Sequence, residues 1–378
     1  MKKVGIITFH NSYNCGSMLE TYAMQTILEK HGLNSEIVNF SSDGQKELYS
    51  IYFKKNTLKN IVKNSLLFLQ RNRLKNNNAQ YEAFKQKNFK LSKTYNSGDF
   101  IDETPYSVVV AGSDQIWNVT IKDADDAYFL NWVEVARKVA YAPSFGAKKI
   151  SDYAPDVQLY RNFLNDFDAL SIRENNGQKW VKELINKDVD VLLDPTLLLE
   201  KEDYDLIAAD DVKVDEDYIF FYSPSFDTEI CDYVRKIADK HNLKVITWST
   251  KSYTTKFVKK YGFELPSYEN PAAYLTLIKN AKLIITTSYH GTIFSTIYRK
   301  NFITVKNGEM YGDDDRVITL LNQLGMMDRL IPFNFDPNFN YLSDVDYSQY
   351  DVKLNPQKIK SIEYIKENIV DYYKDGIN

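Results

Sequence analysis

The chain opens with a short apolar run, Val4 to Phe9, leaves it through a polar loop and drops at once into a helical pattern that stops at Gly32. In HNSYNCGSMLETYAMQTILEKHG (10–32), Leu19, Ala23 and Ile27 recur at i, i+4 and i+8 with Met24 and Leu28 beside them, so one helical face is apolar. SEIVNF (35–40) then reads as a second strand. A strand, a helix that buries one face and another strand form a β-α-β unit, which is stable only within a parallel sheet covered by helices.

The same alternation continues. YSVVVAGS (106–113), KVAYAPSF (138–145), ALSIRE (169–174) and VDVLLDP (189–195) read as further strands. A second series follows the acidic stretch from Glu200 to Asp217: DYIFFYSP, LKVITWS, AKLIITTS and NFITVK, with helices over about 228–241, 271–280 and from Gly291. A chain of 378 residues exceeds what one hydrophobic core usually serves. The expected fold is therefore α/β, with two Rossmann-like doubly wound domains facing each other across a cleft. Residues 1–196 form the first domain and 197–350 the second, while a final helix over 351–378, centred on about Pro356 to Tyr373, is expected to pack back on the first domain.

One segment departs from the rhythm. Lys54 to Lys93 carries eleven Lys or Arg against the single acid Glu82, and it includes the amphipathic stretch IVKNSLLFLQ. It reads as a basic helical insertion over about 50–93. Its apolar face either packs on its own domain or, ringed by lysines, meets an anionic membrane surface. Elsewhere the charge is balanced: 47 basic against 51 acidic residues leave no global field that would attract nucleic acid. Two cysteines and four histidines without zinc-ligand spacing give no disulfide scaffold and no closed metal site. The apolar run before His10 is too short for a signal peptide or a membrane span, so a cytoplasmic location is expected.

In doubly wound sheets ligands bind beyond the carboxyl ends of strands. Four polar clusters stand there. Asn11, Asn14 and Gly16 in the opening loop either cap a helix and make its turn or let an anion approach the helix N-terminus; no G-x-G-x-x-G fingerprint or P-loop lysine accompanies them. Ser113, Asp114 and Gln115 follow the valine run, as helix caps or polar ligands. Arg173 ends ALSIRE, a fork for a carboxylate or phosphate or one half of a structural ion pair. Ser288-Tyr289-His290-Gly291 follows from the third strand run of the second series, AKLIITTS. There His290 is expected to face a positive helix end that lowers its pKa, and Lys300 follows about one helix later. The run Gly312-Asp313-Asp314-Asp315-Arg316 could hold a hard cation, though solvation or capping explains it as well, and no metal is expected.

Taken together, GIITFHNSYNCGSMLETYA, AGSDQIWN, LSIRE, LLDPTLLL, TTSYHGTIFSTIYRKNF and DDRVITLLNQLGMMDRL resemble, in that order, the polysaccharide pyruvyl transferase family. The resemblance implies a fold like the two-domain glycosyltransferases called GT-B. It implies a donor, phosphoenolpyruvate, in the interdomain cleft, and a saccharide or lipid-linked glycan acceptor converted to a pyruvate ketal without metal or organic cofactor. Arg173 matches the family's donor-binding arginine and His290 its histidine, which would protonate the donor's methylene carbon as general acid. Ser288 and Gly291 would join them at the donor, Lys300 would bind the leaving phosphate, and Asn11, Asn14, Gly16, Ser113, Asp114, Gln115 and Arg316 would line the acceptor side or cleft. Cys15 stands where the family usually has Tyr, and Lys300-Asn301-Phe302 where it has Lys-Pro-Phe. Two alternatives remain at this stage: a GT-B glycosyltransferase using a nucleotide-sugar, and a non-catalytic glycan- or anion-binding relative.

Overall fold

The apolar runs form two parallel sheets in a computed structural model that describes residues 2–306 and 315–375. The first contains β1 (Lys3–Ile7), β2 (Ser35–Ile37), β3 (Tyr106–Ala111), β4 (Arg137–Ala140), β5 (Ala169–Ile172) and β6 (Asp190–Val191), in the order β2-β1-β3-β4-β5-β6. The second contains β7 (Tyr218–Tyr222), β8 (Lys244–Thr247), β9 (Leu283–Thr286), β10 (Phe302–Val305) and β11 (Leu330–Ile331), in the order β11-β10-β9-β7-β8. Val108, Val109 and Val110 are all fully buried, as a strand covered on both faces requires. β4 ends earlier than KVAYAPSF suggests, because Ala142 takes a positive φ of 47° and turns the chain out of the sheet.

The helix Cys15–Lys30 covers the first sheet, buries Leu19, Ala23, Met24 and Ile27, and is capped by Asn14, whose side chain accepts the Gly16 N–H at 2.9 Å. Its apolar face belongs to a cluster that continues without interruption into Tyr274, Leu277 and Phe294 of the second domain. Separate clusters cover the outer faces, one around Trp117 under the first sheet and one around Phe221 and Phe263 under the second. The interdomain boundary is thus apolar at its base and polar at the strand ends.

The basic segment forms two helices, Leu58–Leu69 and Arg71–Asn88. The second is rooted in the first domain by buried Tyr81 and Phe84, yet it also reaches the other domain. Arg73 Nε donates to Thr250 Oγ1 at 3.1 Å, Asn77 Nδ2 donates to the same oxygen at 3.2 Å, and the Glu269 N–H donates to Asn77 Oδ1 at 3.1 Å. The first helix behaves differently: Leu58, Val62 and Leu69 are 82, 61 and 78% exposed. Leu67 and Asn64 are buried on its other side, so the stripe of Leu58, Val62 and Leu69 is the part left unpacked. No helix among the described residues is long and apolar enough to cross a membrane.

The last helix begins at Tyr350, earlier than its proline suggested, and carries Pro356 inside it. Tyr364 donates to the Ala140 carbonyl at 2.9 Å and Tyr373 to the Lys2 carbonyl at 2.8 Å, while Ser361 Oγ accepts the Leu193 N–H at 3.1 Å. These bonds fasten the chain's end to the first sheet.

Candidate active site

Two strand-to-helix turns, one from each domain, meet at His290. After β9, Ser288 caps the helix Tyr289–Ile297 by accepting the Gly291 N–H at 3.3 Å, which places His290 in the first turn. After β1, the turn at Asn14 starts the helix Cys15–Lys30 so that Gly16 lies against the imidazole. A Cβ at Gly16 would fall 2.2 Å from His290 Nδ1, and one at Gly291 would fall 2.4 Å from Thr286 Oγ1. Both positions need glycine for want of space, not for backbone freedom.

A buried ionic cluster surrounds the histidine. Arg173, just past β5, has Nη1 2.8 Å from Asp194 Oδ2 and 3.5 Å from Glu20 Oε2, and Nη2 3.7 Å from Asp114 Oδ1. Its guanidinium carbon lies 4.4 Å from the centre of the Tyr289 ring. His290 Nε2 is 3.4 Å from Asp194 Oδ2 and 3.5 Å from Glu20 Oε2. Asp194 is fixed by Thr196, whose hydroxyl and N–H donate to Oδ1 at 2.6 and 3.0 Å. Asp114 accepts the Ser17 hydroxyl at 2.5 Å and the Gln115 N–H at 2.7 Å.

These distances shift the titration of the buried groups. Burial alone would lower the His290 pKa, but the Asp194 carboxylate outweighs it, with help from Glu20 and Asp114, and the ring is pushed up to about 9. The expectation of a lowered pKa is corrected: nearby carboxylates outweigh the helix end. For Asp194, burial is opposed by His290, Arg173 and Thr196, which hold it well below the ordinary carboxylate range. Glu20 goes the other way, since burial and its neighbours Asp114 and Asp194 raise it well above that range, against the pull of His290 and Arg173. Arg173 and His290 therefore face three acidic side chains, Glu20, Asp114 and Asp194.

A cavity of about 170 Å³ opens onto this cluster. Of the residues singled out in the sequence, Asn14, Asp114, Gln115, Arg173, Ser288, His290 and Arg316 line it. Gly16 and Gly291 lie beneath it. Ser113 is buried behind, its hydroxyl donating to the Ala142 carbonyl at 2.5 Å. Asn11 points elsewhere and accepts from Lys85 Nζ at 2.5 Å. Lys300 is not brought to the cavity: it precedes β10, whose carboxyl end is the one that reaches the site, and its Nζ donates to the Lys279 carbonyl at 2.9 Å. A nine-residue helix rises about 13 Å, enough to carry the chain to the opposite sheet edge.

Other residues were missed. Lys306 ends the NFITVK run at the carboxyl end of β10 and lines the cavity, so the strand-end rule itself marks it. Asp194 closes VLLDP in the same way. Glu20 sits within a helix and gave no sequence signal. Glu20, Asp194 and His290 offer donor atoms within 4.8 Å of one another, a spacing that could hold a metal ion. Both acidic side chains already face Arg173. Asp313 and Asp314 lie outside the described residues, while Asp315 Oδ2 accepts the Asn176 N–H at 3.0 Å. Cys15 is buried against the Tyr81 hydroxyl at 3.2 Å, and burial raises its thiol pKa, which suits packing and not thiolate chemistry.

Two parallel-sheet domains with an ionisable cleft at their strand ends make up a GT-B-like fold. The co-structure of MnaA with UDP from S. aureus shares this fold with a TM-score of 0.50 at 15% identity, covering 98% of this chain and 98% of that one. A UDP-GlcNAc 2-epimerase from Neisseria meningitidis bound to UDP-GlcNAc gives a TM-score of 0.47 at 10% identity, covering 95% of this chain and 100% of that one. At such identities the likeness concerns the fold alone. No curated protein sequence matches the chain. The sequence profile described as "Polysaccharide pyruvyl transferase" matches residues 14–309. The chain belongs to the polysaccharide pyruvyl transferase family and is a transferase.

Proposed function

We propose that the protein transfers a pyruvyl group from phosphoenolpyruvate to two hydroxyls of a saccharide, with His290 as the general acid. One observation carries this reading: His290, pushed towards its protonated form by buried Asp194, is among the residues that line the cavity. Protonation of the donor's methylene carbon by His290 makes the adjacent carbon electrophilic, and a sugar hydroxyl attacks it. Asp114, the carboxylate of the cluster that lines the cavity, takes the hydroxyl proton. Departure of phosphate and attack by a second hydroxyl close the ketal, so one donor and one diol give one ketal and one inorganic phosphate. Lys306 and Arg316, at the cavity wall, supply the positive charge that the donor's carboxylate and phosphate require. These residues provide both acid and cations, so the reaction as proposed needs no organic cofactor and no metal.

The test is incubation with phosphoenolpyruvate and a panel of soluble and lipid-linked glycans, read by product mass and released phosphate. Thermal unfolding separates the nucleotide-sugar alternative. A ligand present at about 100 times its dissociation constant adds about 2.7 kcal/mol of stability. Stabilisation by a nucleotide-sugar and not by phosphoenolpyruvate would overturn the reading.

We further propose that the helix Leu58–Leu69 rests on anionic membrane. Its exposed Leu58, Val62 and Leu69 are flanked by Lys54, Lys55, Lys59 and Lys63, the combination that inserts apolar side chains among acidic headgroups. That location suits a lipid-linked acceptor. Flotation with vesicles containing acidic phospholipid should capture the wild type at low salt and not the Leu58→Ser/Val62→Ser variant.

A further inference from the structure

A second cavity, about 400 Å³, adjoins the first and shares Asn14, Tyr222 and Pro224 with it. Its walls bring aromatic rings from both domains. Tyr49 and Phe53, half-buried, come from the chain leading into the basic helices; Tyr222 ends β7 and Trp248 follows β8. Polar groups stand between the rings. Glu269 is buried, and its Oε1 accepts both the N–H and the hydroxyl of Thr250 at 2.7 Å, which fixes the carboxyl group. Asn78 projects from the helix Arg71–Asn88.

The roof is held in place. Lys251 donates to the carbonyl oxygens of Ser50 and Leu48 at 2.8 and 3.4 Å, and its ammonium lies 4.3 Å from the centre of the Phe53 ring. This lysine is therefore engaged with backbone and ring. A groove with flat rings, an amide and a fixed carboxyl group suits a sugar, whose C–H faces stack on aromatic rings while its hydroxyls both donate and accept.

The geometry points to this groove as the acceptor subsite, in which a saccharide ring lies against Tyr49 with its diol directed past Asn14 into the donor cavity. The assignment rests on the donor reading above, since an acceptor is needed only if the neighbouring cavity takes a pyruvyl donor. It also gives the insertion a role: the segment that supplies Tyr49, Phe53 and Asn78 selects which glycan is modified.

To test it, soluble oligosaccharides with free diols are titrated one at a time into the wild type, Tyr49→Ala and Asn78→Ala, and stabilisation by phosphoenolpyruvate is measured in parallel by thermal unfolding. Asn78 is half-buried on a helix surface, so its variant keeps the test meaningful if the Tyr49 change loosens the roof. At least one saccharide should bind the wild type and bind each variant roughly tenfold more weakly. Stabilisation by phosphoenolpyruvate should be equal in all three. Equal saccharide affinity across the three proteins, or no saccharide bound by the wild type, overturns the acceptor assignment. Loss of saccharide affinity in the variants without any stabilisation of the wild type by phosphoenolpyruvate upholds the groove as a saccharide site and removes the donor reading instead.

Discussion

The turn after β1 and the turn after β9 are built alike and do opposite work. Each caps a helix with a small polar side chain, Asn14 or Ser288, and each has a glycine in its first helical turn. In the second domain the turn presents a titratable ring. In the first it presents empty space, because Gly16 gives His290 somewhere to lie. A loop rich in hydrogen-bonding residues thus contributes chiefly by what it lacks, and the proposed acid of one domain is positioned by the other.

The sharpest way to break this comparison is to remove the ring. In His290→Ala, phosphate release from phosphoenolpyruvate in the presence of acceptor should fall by about 10²- to 10⁴-fold, and an unchanged rate would discard the proposed acid. Filling the space comes next. Gly16→Ala leaves every ionisable group in place but sets a methyl group against Nδ1, so a loss of about 100-fold is expected from displacement alone. A Gly16→Ala enzyme with normal turnover would mean that the first turn does not position the ring.

Arg173→Gln tests the charge that serves both turns. It leaves Asp114 buried without its cation and Asp194 with His290 alone, at a cost of about 3–5 kcal/mol, measurable by denaturant unfolding. The pH response is gentler. His290 titrates at 6.5 when unperturbed and at about 9 in the fold, so its raised pKa contributes stability that is whole below about pH 6.5 and lost as pH rises through 9. Turnover should decline over the same alkaline limb, and in Asp194→Asn that limb should move to lower pH. The smallest effect belongs to Lys300→Ala, for which the KM for phosphoenolpyruvate should not change, because the ammonium is bonded to the Lys279 carbonyl away from the cavity.

Most of the sheet architecture was legible because parallel strands buried on both faces read as unbroken apolar runs. Arg173 and His290 were legible for a related reason: a charged residue directly after such a run stands at a strand's carboxyl end. Lys306 obeys that rule equally well and was passed over in favour of Lys300, whose sequence distance from His290 spans a helix and so the depth of the sheet. Glu20 could not be found this way. It lies in a helix beside apolar neighbours, and its burial makes sense only once Arg173 and His290 arrive from 153 and 270 positions further along the chain. The helix Arg71–Asn88 was visible as a helix, but nothing in its charge pattern told that Arg73 and Asn77 are spent on the other domain.

That helix has a consequence for how the molecule can be re-engineered. Tyr81 and Phe84 anchor it on one side and Thr250 and Glu269 grip it on the other, while the terminal helix returns to Ala140 and Lys2. The two halves are sutured at sites scattered along the chain, so they are not exchangeable cassettes. A chimera that replaces residues 197–350 with a relative's domain severs the stitches at 73 and 77 unless Thr250 and Glu269 are carried across. Rewriting the loops at the cleft rim leaves every suture intact, which makes it the shorter route to a new glycan preference.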